Sequence, residues 1–502
     1  MNKTVYLIST PAGDIETGHL KGAKAISLVF LRDYLIRHGI SSEIIDGDAD
    51  HLNNDGIISR LLEKNANIVG FTSYTTTRFI TYDAIRKLKI AIPDCKIIVG
   101  GRHFSSLAEE ALENLLEVDY VVRGEGEVSL FELSNAILRS NNVDKIEGIT
   151  YRNNGSIIST PDRPLEDNLD DIYYDYRKMT KEDISVTTMR LLNTKRFAVM
   201  AGRGCPYGCV FCTLKATKAR FRSIDDVMNE IEHKIKVTGV KSLSFSDSTL
   251  TANKEFIEKL CKEIIRRNLN IKWSCYSRVD INAELLDLMK SAGLVSVDVA
   301  LESGSPRVLK IIRKKINVDQ LTAFVKKCFF DDIRINVFVL LGHPDEREVD
   351  AEMTYELIYR LREYISSVSL NVTKVFPDAA LDAIARERGV IPKDFSWFEP
   401  YEDKNANMIN EGHGFRNKNT LPHYIEYLSV KYINDIMRRI HDLQLYHFYT
   451  YSMLKVVTGS MWRTTLCDWH SEGVCKKLRR LKRVIVVLVS IMKTYVIRVN
   501  RP

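Results

Sequence analysis

From its first residues the chain alternates short apolar runs with segments of helical spacing. Residues 5–9 are an apolar run, 25–37 have helical spacing closed by Gly39, and 42–45 are apolar and β-branched. A helix over 56–64, a buried-type strand at 68–73 and a helix over 79–90 follow. Next come a strand at 96–99 ending in Gly100-Gly101, a helix over 107–116 and a strand at 120–122. This order predicts a parallel sheet with helices on both faces, an α/β doubly wound (Rossmann-like) domain over 1–135. Ligands of such sheets sit at the carboxyl ends of the strands. Here those ends are the loops 9–22, 73–78, 100–104 and 123–127.

Residues 136–190 read as a connector. Segments 148–152 and 156–160 flank Asn153-Asn154-Gly155, a hairpin signal, and an acidic, Pro-containing strap follows over 161–176. A second α/β unit is predicted over 191–376. Its strands are 197–200, 241–246, 271–277, 296–300, 334–341 and 367–372. Helices over 224–237, 254–267, 283–292, 318–331 and 346–364 lie between them. Six repeats fall short of a closed eightfold barrel and predict an open, partial (β/α)6 barrel. Residues 377–502 have a mainly helical pattern with interspersed aromatics and form a third region.

Composition fits this picture: 45% hydrophobic and 27% charged over 502 residues is ordinary globular usage for about three domains. The net charge of +7 belongs to the tail, because residues 476–502 hold nine Lys or Arg and no acid, leaving −2 for the rest. The basic cluster 476–483 beside the uncharged 484–492 allows two readings. It either rests on an anionic membrane surface or is a docked terminal element with a solvated basic face. No nucleic-acid partner is expected. The opening apolar run is too short for a secretory signal, and no segment approaches the ~20 apolar residues of a membrane span. A cytoplasmic location is expected, peripheral to the membrane if the tail binds it. The 9 cysteines are spread too thinly for a disulfide scaffold.

Three of those cysteines carry the chemistry. In Gly202-Arg203-Gly204-Cys205-Pro206-Tyr207-Gly208-Cys209-Val210-Phe211-Cys212 they stand at C-x3-C-x2-C spacing on a Gly-rich loop after a strand. Thiolates are the natural ligands of iron–sulfur clusters. Three of them leave one iron of a cubane open to an exogenous molecule. A structural zinc site wants four closed ligands, and no second C-x2-C or nearby His pair supplies the fourth. Cys95, Cys261, Cys275 and Cys328 lie in or beside helix and strand patterns and read as buried small hydrophobes. Cys467 and Cys475 lack the further ligands a second metal site would need.

This loop resembles the radical SAM superfamily signature. Phe221-Arg222-Ser223 before a helix, Phe245-Ser246-Asp247-Ser248, Trp273-Ser274-Cys275-Tyr276-Ser277-Arg278-Val279-Asp280 and Ala300-Leu301-Glu302-Ser303-Gly304-Ser305 extend the resemblance over about 195–375. It implies a 4Fe–4S cluster on Cys205, Cys209 and Cys212, with S-adenosylmethionine on the open iron. The contacts it implies for that molecule are Tyr207, Phe211, Ser246, Asp247, Arg278, Glu302 and Ser303. Arg278 has a plainer alternative, an ion pair with Asp280 or Asp298.

The N-terminal domain ahead of such a barrel resembles the cobalamin-binding class of radical SAM enzymes, through Gly100-Gly101-Arg102-His103 and Arg123-Gly124-Glu125-Gly126-Glu127. Glycines let backbone approach a large flat ligand, and Ser73, Thr75 and Thr76 offer hydroxyls at a strand end. The implied cobalamin contacts are Thr10, Ser73, Thr76, Gly100, Gly101, Arg102, His103, Gly124, Glu125 and Gly126. His103 either meets the corrin or caps the helix. His19 precedes Leu20-Lys21-Gly22 without the Asp of a corrinoid D-x-H-x-x-G motif, since Thr17 stands there, so no protein imidazole is expected on cobalt. A second cluster would need about three more cysteines in this domain, which has only Cys95.

The resemblance implies a methyltransferase. Methylcobalamin would supply a methyl group to an unactivated carbon or a phosphinate phosphorus of a small molecule, after hydrogen abstraction by a 5′-deoxyadenosyl radical. A flavodoxin- or ferredoxin-like reductant would serve it. Two other readings are a cobalamin-dependent cyclase or rearrangement enzyme, and a metal-stabilised binding module for anionic partners. Leu341-Gly342-His343-Pro344-Asp345-Glu346 and the segment 375–381 depart from the family's usual turns, which puts the substrate-side loops in question.

Overall fold

The computed structural model describes residues 3–12, 25–179, 181, 184, 186–189, 194–214, 216–401, 403, 405, 408–409 and 421–443. His19, Cys467, Cys475 and the basic tail lie outside the described residues. The described residues up to His441 belong to one compact unit.

The N-terminal elements run β1 (Val5–Ser9), α1 (Ile26–Arg37), β2 (Ser42–Asp46), α2 (Asn54–Glu63), β3 (Ile68–Thr72), α3 (Arg78–Ala91), β4 (Lys96–Gly100), α4 (Gly101–Ser106), α5 (Ala108–Asn114), β5 (Tyr120–Val122) and α6 (Gly126–Arg139). The five strands pair in parallel in the order β2-β1-β3-β4-β5. This is the flavodoxin-like doubly wound order, whose ligand crevice opens where β1 and β3 part company. The strands read as continuous apolar runs because helices bury both of their faces. Two expectations need adjustment. Residues after Gly100 form a separate short helix before the predicted one. The Asn-Asn-Gly hairpin, β6 (Ile149–Asn153) and β7 (Ser156–Ser159), is no free connector. It adds two antiparallel strands to the sheet, Tyr120 facing Tyr151. Strand β5 would otherwise leave an unpaired edge.

The strap follows, with α7 (Leu169–Ile172) laid along α1 and α6. Tyr173 and Tyr174 pack on Phe30 with ring centroids 4.6 and 5.1 Å away. The second unit is built from β8 (Val186–Met189), β9 (Thr194–Val199), β10 (Gly202–Arg203), β11 (Arg220–Phe221), α8 (Ile224–Thr238), β12 (Ser242–Phe245), α9 (Lys254–Arg266), β13 (Lys272–Ser277), α10 (Ala283–Ser291), β14 (Leu294–Glu302), α11 (Pro306–Ile311), α12 (Val318–Phe330), β15 (Arg334–Leu341), α13 (Glu348–Leu361) and β16 (Ser367–Val372). Six consecutive parallel strands, β9 and then β12 to β16, form the open barrel. Strand β8 extends its edge antiparallel to β9, which the sequence pattern does not announce. Ser223, Asn253, Asn282, Ser305 and Asn317 each cap the helix they precede by accepting a backbone N–H.

The third region adds α14 (Ala380–Glu387) and a helix over 430–443. Its Leu381, Trp397, Phe398 and Tyr424 share one core with β3, α3 and α5 of the N-terminal domain. Among the described residues no helix is long and apolar enough to cross a membrane.

The strap meets the barrel through buried charge. Glu230 on α8 is ion-paired to Lys234 at 2.6 Å and to Arg222, and it accepts the Tyr174 hydroxyl. Arg222 also donates to Met200 O at 2.9 Å and Lys234 to Ala198 O at 2.8 Å, so every partner is spoken for. Removing one member of such a set leaves an uncompensated buried charge. Glu230→Ala is therefore expected to destabilise the protein by about 3–5 kcal/mol, read as a lowered denaturation midpoint. A loss below about 1 kcal/mol, the range of exposed pairs, would contradict the network's role.

Candidate functional site

The cysteine loop leaves the barrel after β9 through a narrow neck. Strands β10 and β11 pair antiparallel there, Gly202 opposite Phe221 and Arg203 opposite Arg220. The two carboxylate oxygens of Asp247 accept the backbone N–H groups of Gly202 at 2.5 Å and Ala201 at 3.2 Å. Gly204 has φ +87, and a Cβ on it would lie 2.2 Å from Lys218 O, so this corner requires glycine. Beyond the neck the loop borrows its hydrogen bonds from elsewhere. Cys205 N donates to Thr217 Oγ1 at 3.1 Å, Val210 N to Ile312 O at 3.1 Å, and Leu381 N to Val210 O at 2.9 Å. Cys205 is buried, while Cys209 and Cys212 are half-buried.

Among the described residues, no three His, Cys, Asp or Glu side chains converge closely enough to hold a single metal ion, the three loop cysteines included. A four-iron cubane is a larger object, and an all-thiol donor set suits it. Burial pushes the Cys209 thiol up, and the Lys314 ammonium opposes that shift. The remaining described cysteines are buried thiols. Burial raises Cys95, Cys261 and Cys328 to about 12.

The other residues expected at the barrel mouth fall into distinct groups. Arg278 lies 3.9 Å above the Tyr207 ring, pairs with Asp280 at 3.3 Å and donates to Lys315 O at 2.5 Å. Asp298 instead accepts from Asn336 at 3.0 Å. Glu302 closes β14 at a register shift, with φ +69, a conformation that non-glycine residues rarely adopt. Its carboxylate meets Lys314 at 3.0 Å, both side chains nearly buried. Ser246 is exposed at the end of β12. Ser303 is turned inward, 3.3 Å from Thr354 Oγ1. The Phe211 ring lies 5.9 Å from that of His343, a buried imidazole 3.3 Å from Thr373 Oγ1. Burial holds His343 down to about 3.

In the N-terminal domain a chain of buried hydroxyls joins the carboxyl ends of β1 and β3 to α3. Thr10 Oγ1 is 2.9 Å from Thr81 Oγ1, and Thr81 donates to Ser73 Oγ at 3.2 Å. Gly101 has φ +85, and a Cβ there would sit 2.6 Å from Thr72 Oγ1. Gly100 and Thr76 are half-buried beside it, and Arg102 is exposed. Gly124 is also exposed, at φ +71, and its N–H reaches Ser105 Oγ at 3.2 Å. Gly126 opens α6. Two expected contacts stand elsewhere. Glu125 is ion-paired to Arg220, and His103 is fully buried, its Nε2 2.5 Å from the Tyr82 hydroxyl and its ring 5.9 Å from Phe398. Its Nδ1 has no hydrogen-bond partner among the described residues.

Lys314, Thr81, Arg203, Arg220 and Glu127 escape a reading of the sequence. Their partners lie from 8 residues away, for Thr81 and Ser73, to 95, for Arg220 and Glu125, and no local pattern marks these pairings.

The burial of His103 has a pH consequence. An ordinary imidazole titrates near 6.5, and burial holds this one down to about 3. Between those values the unfolded chain binds the extra proton, so the contribution of His103 to stability is lost as pH falls through that window. His103→Gln is expected to lose less melting temperature than the parent between pH 6.5 and 4. Equal slopes for the two proteins would contradict the assignment.

The comparisons with known proteins fit this geometry. A Radical SAM superfamily model matches residues 199–358, and a B12 binding domain model matches residues 23–134. An uncharacterized methyltransferase of Pyrococcus horikoshii is 30% identical over 334 residues, 65% of this chain and 71% of that protein. The anaerobic magnesium-protoporphyrin IX monomethyl ester cyclase of Rubrivivax gelatinosus is 27% identical over 344 residues, 66% of this chain and 61% of its own length. The fold is also that of the methyltransferase TsrM from Kitasatospora setae, whose structure has cobalamin and a [4Fe-4S] cluster bound. The match has TM-score 0.69 and 17% identity, and covers 88% of this chain and 91% of that one. The chain therefore belongs to the radical SAM superfamily, as an enzyme with a B12-binding domain ahead of the radical SAM domain and with a 4Fe–4S cluster, S-adenosylmethionine and cobalamin as its cofactors.

Proposed function

We propose that the protein is a cobalamin-dependent methyltransferase acting on an unactivated carbon, or a phosphinate phosphorus, of a small molecule. The observation that carries this reading is the joining of two ligand-bearing strand ends in one compact unit. One is the crevice of a B12-binding sheet, and the other is the mouth of a barrel with three thiols on a glycine-rich loop. A methyltransferase among the relatives supports it. When bound, the cluster supplies the electron that cleaves S-adenosylmethionine, and cobalamin carries the methyl group.

The residues present fit these groups. In this reading Cys205, Cys209 and Cys212 hold three irons and leave the fourth open. Tyr207, Phe211, Ser246, Arg278 and Glu302 would hold S-adenosylmethionine there, Glu302 with its charge balanced by Lys314. Asp247 and Ser303 work one step back, Asp247 by fixing the loop's entry and Ser303 by bracing the turn after β14. On the other side Gly124, where a Cβ would meet open space, would leave room for a flat ligand, Gly100 and Gly101 let the strand end pack closely on Val122, Thr72 and Ser73, and Thr10, Ser73 and Thr76 would offer hydroxyls. Arg102 and Gly126 border the same edge. Glu125 and His103 support this surface from behind through Arg220 and Tyr82. An external one-electron reductant of the flavodoxin or ferredoxin kind completes the reading.

The cyclase relative favours one alternative, a cobalamin-dependent cyclisation with the same cofactors. Protein reconstituted anaerobically and supplied with S-adenosylmethionine, cobalamin and a strong reductant separates the two. Methyl transfer predicts both 5′-deoxyadenosine and S-adenosylhomocysteine among the products. Cys205→Ala is expected to lower 5′-deoxyadenosine at least about a hundredfold, the scale of losing an essential catalytic group. Deoxyadenosine without S-adenosylhomocysteine would favour cyclisation. Neither nucleoside from a cluster-loaded protein would overturn both.

A further inference from the structure

The neck of the cysteine loop carries an electrostatic problem of its own. Arg203 and Arg220 are direct partners across β10 and β11. Like charges so placed repel and push strands apart. Gly202 lets the two strands approach this closely, since a Cβ there would lie 2.6 Å from Arg220 O and 2.7 Å from the Phe221 ring.

The compensating charge comes from the other half of the molecule. Glu127, on the first turn of α6, accepts Arg203 Nη2 at 2.6 Å. Glu125, on the loop after β5, accepts Arg220 Nη1 at 3.2 Å, pairs with Arg220 Nη2 as well, and stands 3.5 Å from Arg203 Nη1. The side chains of Arg203, Arg220 and Glu127 keep only 11%, 3% and 6% of their surface, so solvent screens these pairs weakly. Arg203 also lies 5.2 Å over the Phe30 ring of α1, and Arg220 donates to Glu166 O at 2.5 Å. Both carboxylates sit at the start of α6, where the helix dipole favours negative charge.

We infer that Glu125 and Glu127 are positioning residues for the iron–sulfur centre. They clamp the neck of the cysteine loop from the B12-binding domain, acting through Arg220 and Arg203 and touching no cofactor themselves. The inference rests on the reading of Cys205, Cys209 and Cys212 as the cluster's ligands. With the carboxylates neutralised the two arginines repel, the neck opens, and the cluster sits in a looser loop while the fold around it persists.

The test uses the full-length, anaerobically reconstituted protein and the nearly isosteric Glu127→Gln, Arg203→Gln and the pair of both. Iron release to a ferrous chelator and the electron paramagnetic resonance spectrum of the reduced cluster are recorded beside the melting temperature. Glu127→Gln is expected to release iron at least about tenfold faster and to broaden the spectrum, the scale of a lost charge-assisted hydrogen bond. The double variant is expected to be no worse than either single one, since both remove the same interaction. Unchanged release and spectrum in Glu127→Gln, or effects that simply add in the double variant, would overturn the clamp. Should Arg203→Gln fold poorly, Arg203→Lys keeps the charge and loses the fork geometry. It must then fall between parent and Glu127→Gln, and parent-like behaviour or behaviour worse than Glu127→Gln would count against the clamp. A parent protein that binds no iron would instead refute the cluster reading itself.

Discussion

The structure is organised around a loop that has almost no internal support. The three thiols must stand on glycine-rich backbone free of regular pairing, so the loop's posture is imposed from outside. Asp247 pulls its entry onto β12, the carbonyl of Ile312 holds Val210, and Val210 in turn accepts from Leu381. Two arginines tie its neck to α6. A carboxylate between two backbone amides and an arginine bound to glutamate are strong, directional contacts in weakly screened surroundings. They give the precision that packing alone would leave loose.

The same requirement explains why the domains are not independent. The third region buries Trp397, Phe398 and Tyr424 into the core that covers one face of the N-terminal sheet, and Arg78 donates across it to Trp397 O at 2.9 Å. The strap does the equivalent on the other face through Tyr173 and Tyr174. The hairpin of β6 and β7 covers the edge of β5. The third region and the strap thus add apolar burial to both faces of the N-terminal sheet.

Most of the regular structure was legible in the sequence because it rests on local patterns. Apolar runs mark the strands buried on both faces, and Ser or Asn marks the start of most barrel helices. Gly100-Gly101 and the C-x3-C-x2-C loop stand out because their backbone and thiol demands are themselves local. What stayed hidden depends on partners far along the chain. The pairing of β8 and of the β10–β11 neck is too short to leave a periodicity. Asp247 and Glu302 read as S-adenosylmethionine contacts at strand ends, and in the structure one accepts from backbone amides and the other pairs with Lys314. His103 reads as a corrin contact or a helix cap and lies in the core against Tyr82, because α4 turns inward after Gly101. The roles of Glu125 and Arg220 emerge only once the two halves are brought together.

In the proposed reading one compact unit carries both a thiolate-ligated cluster and a cobalamin. The most direct measurement is the iron and cobalt content of the purified protein after anaerobic reconstitution with both, compared with a Cys205→Ala, Cys209→Ala, Cys212→Ala variant. About four irons and about one cobalt per chain are expected in the parent, with iron lost and cobalt kept in the variant. A parent that retains no cobalt, or a variant that keeps its iron, would contradict it.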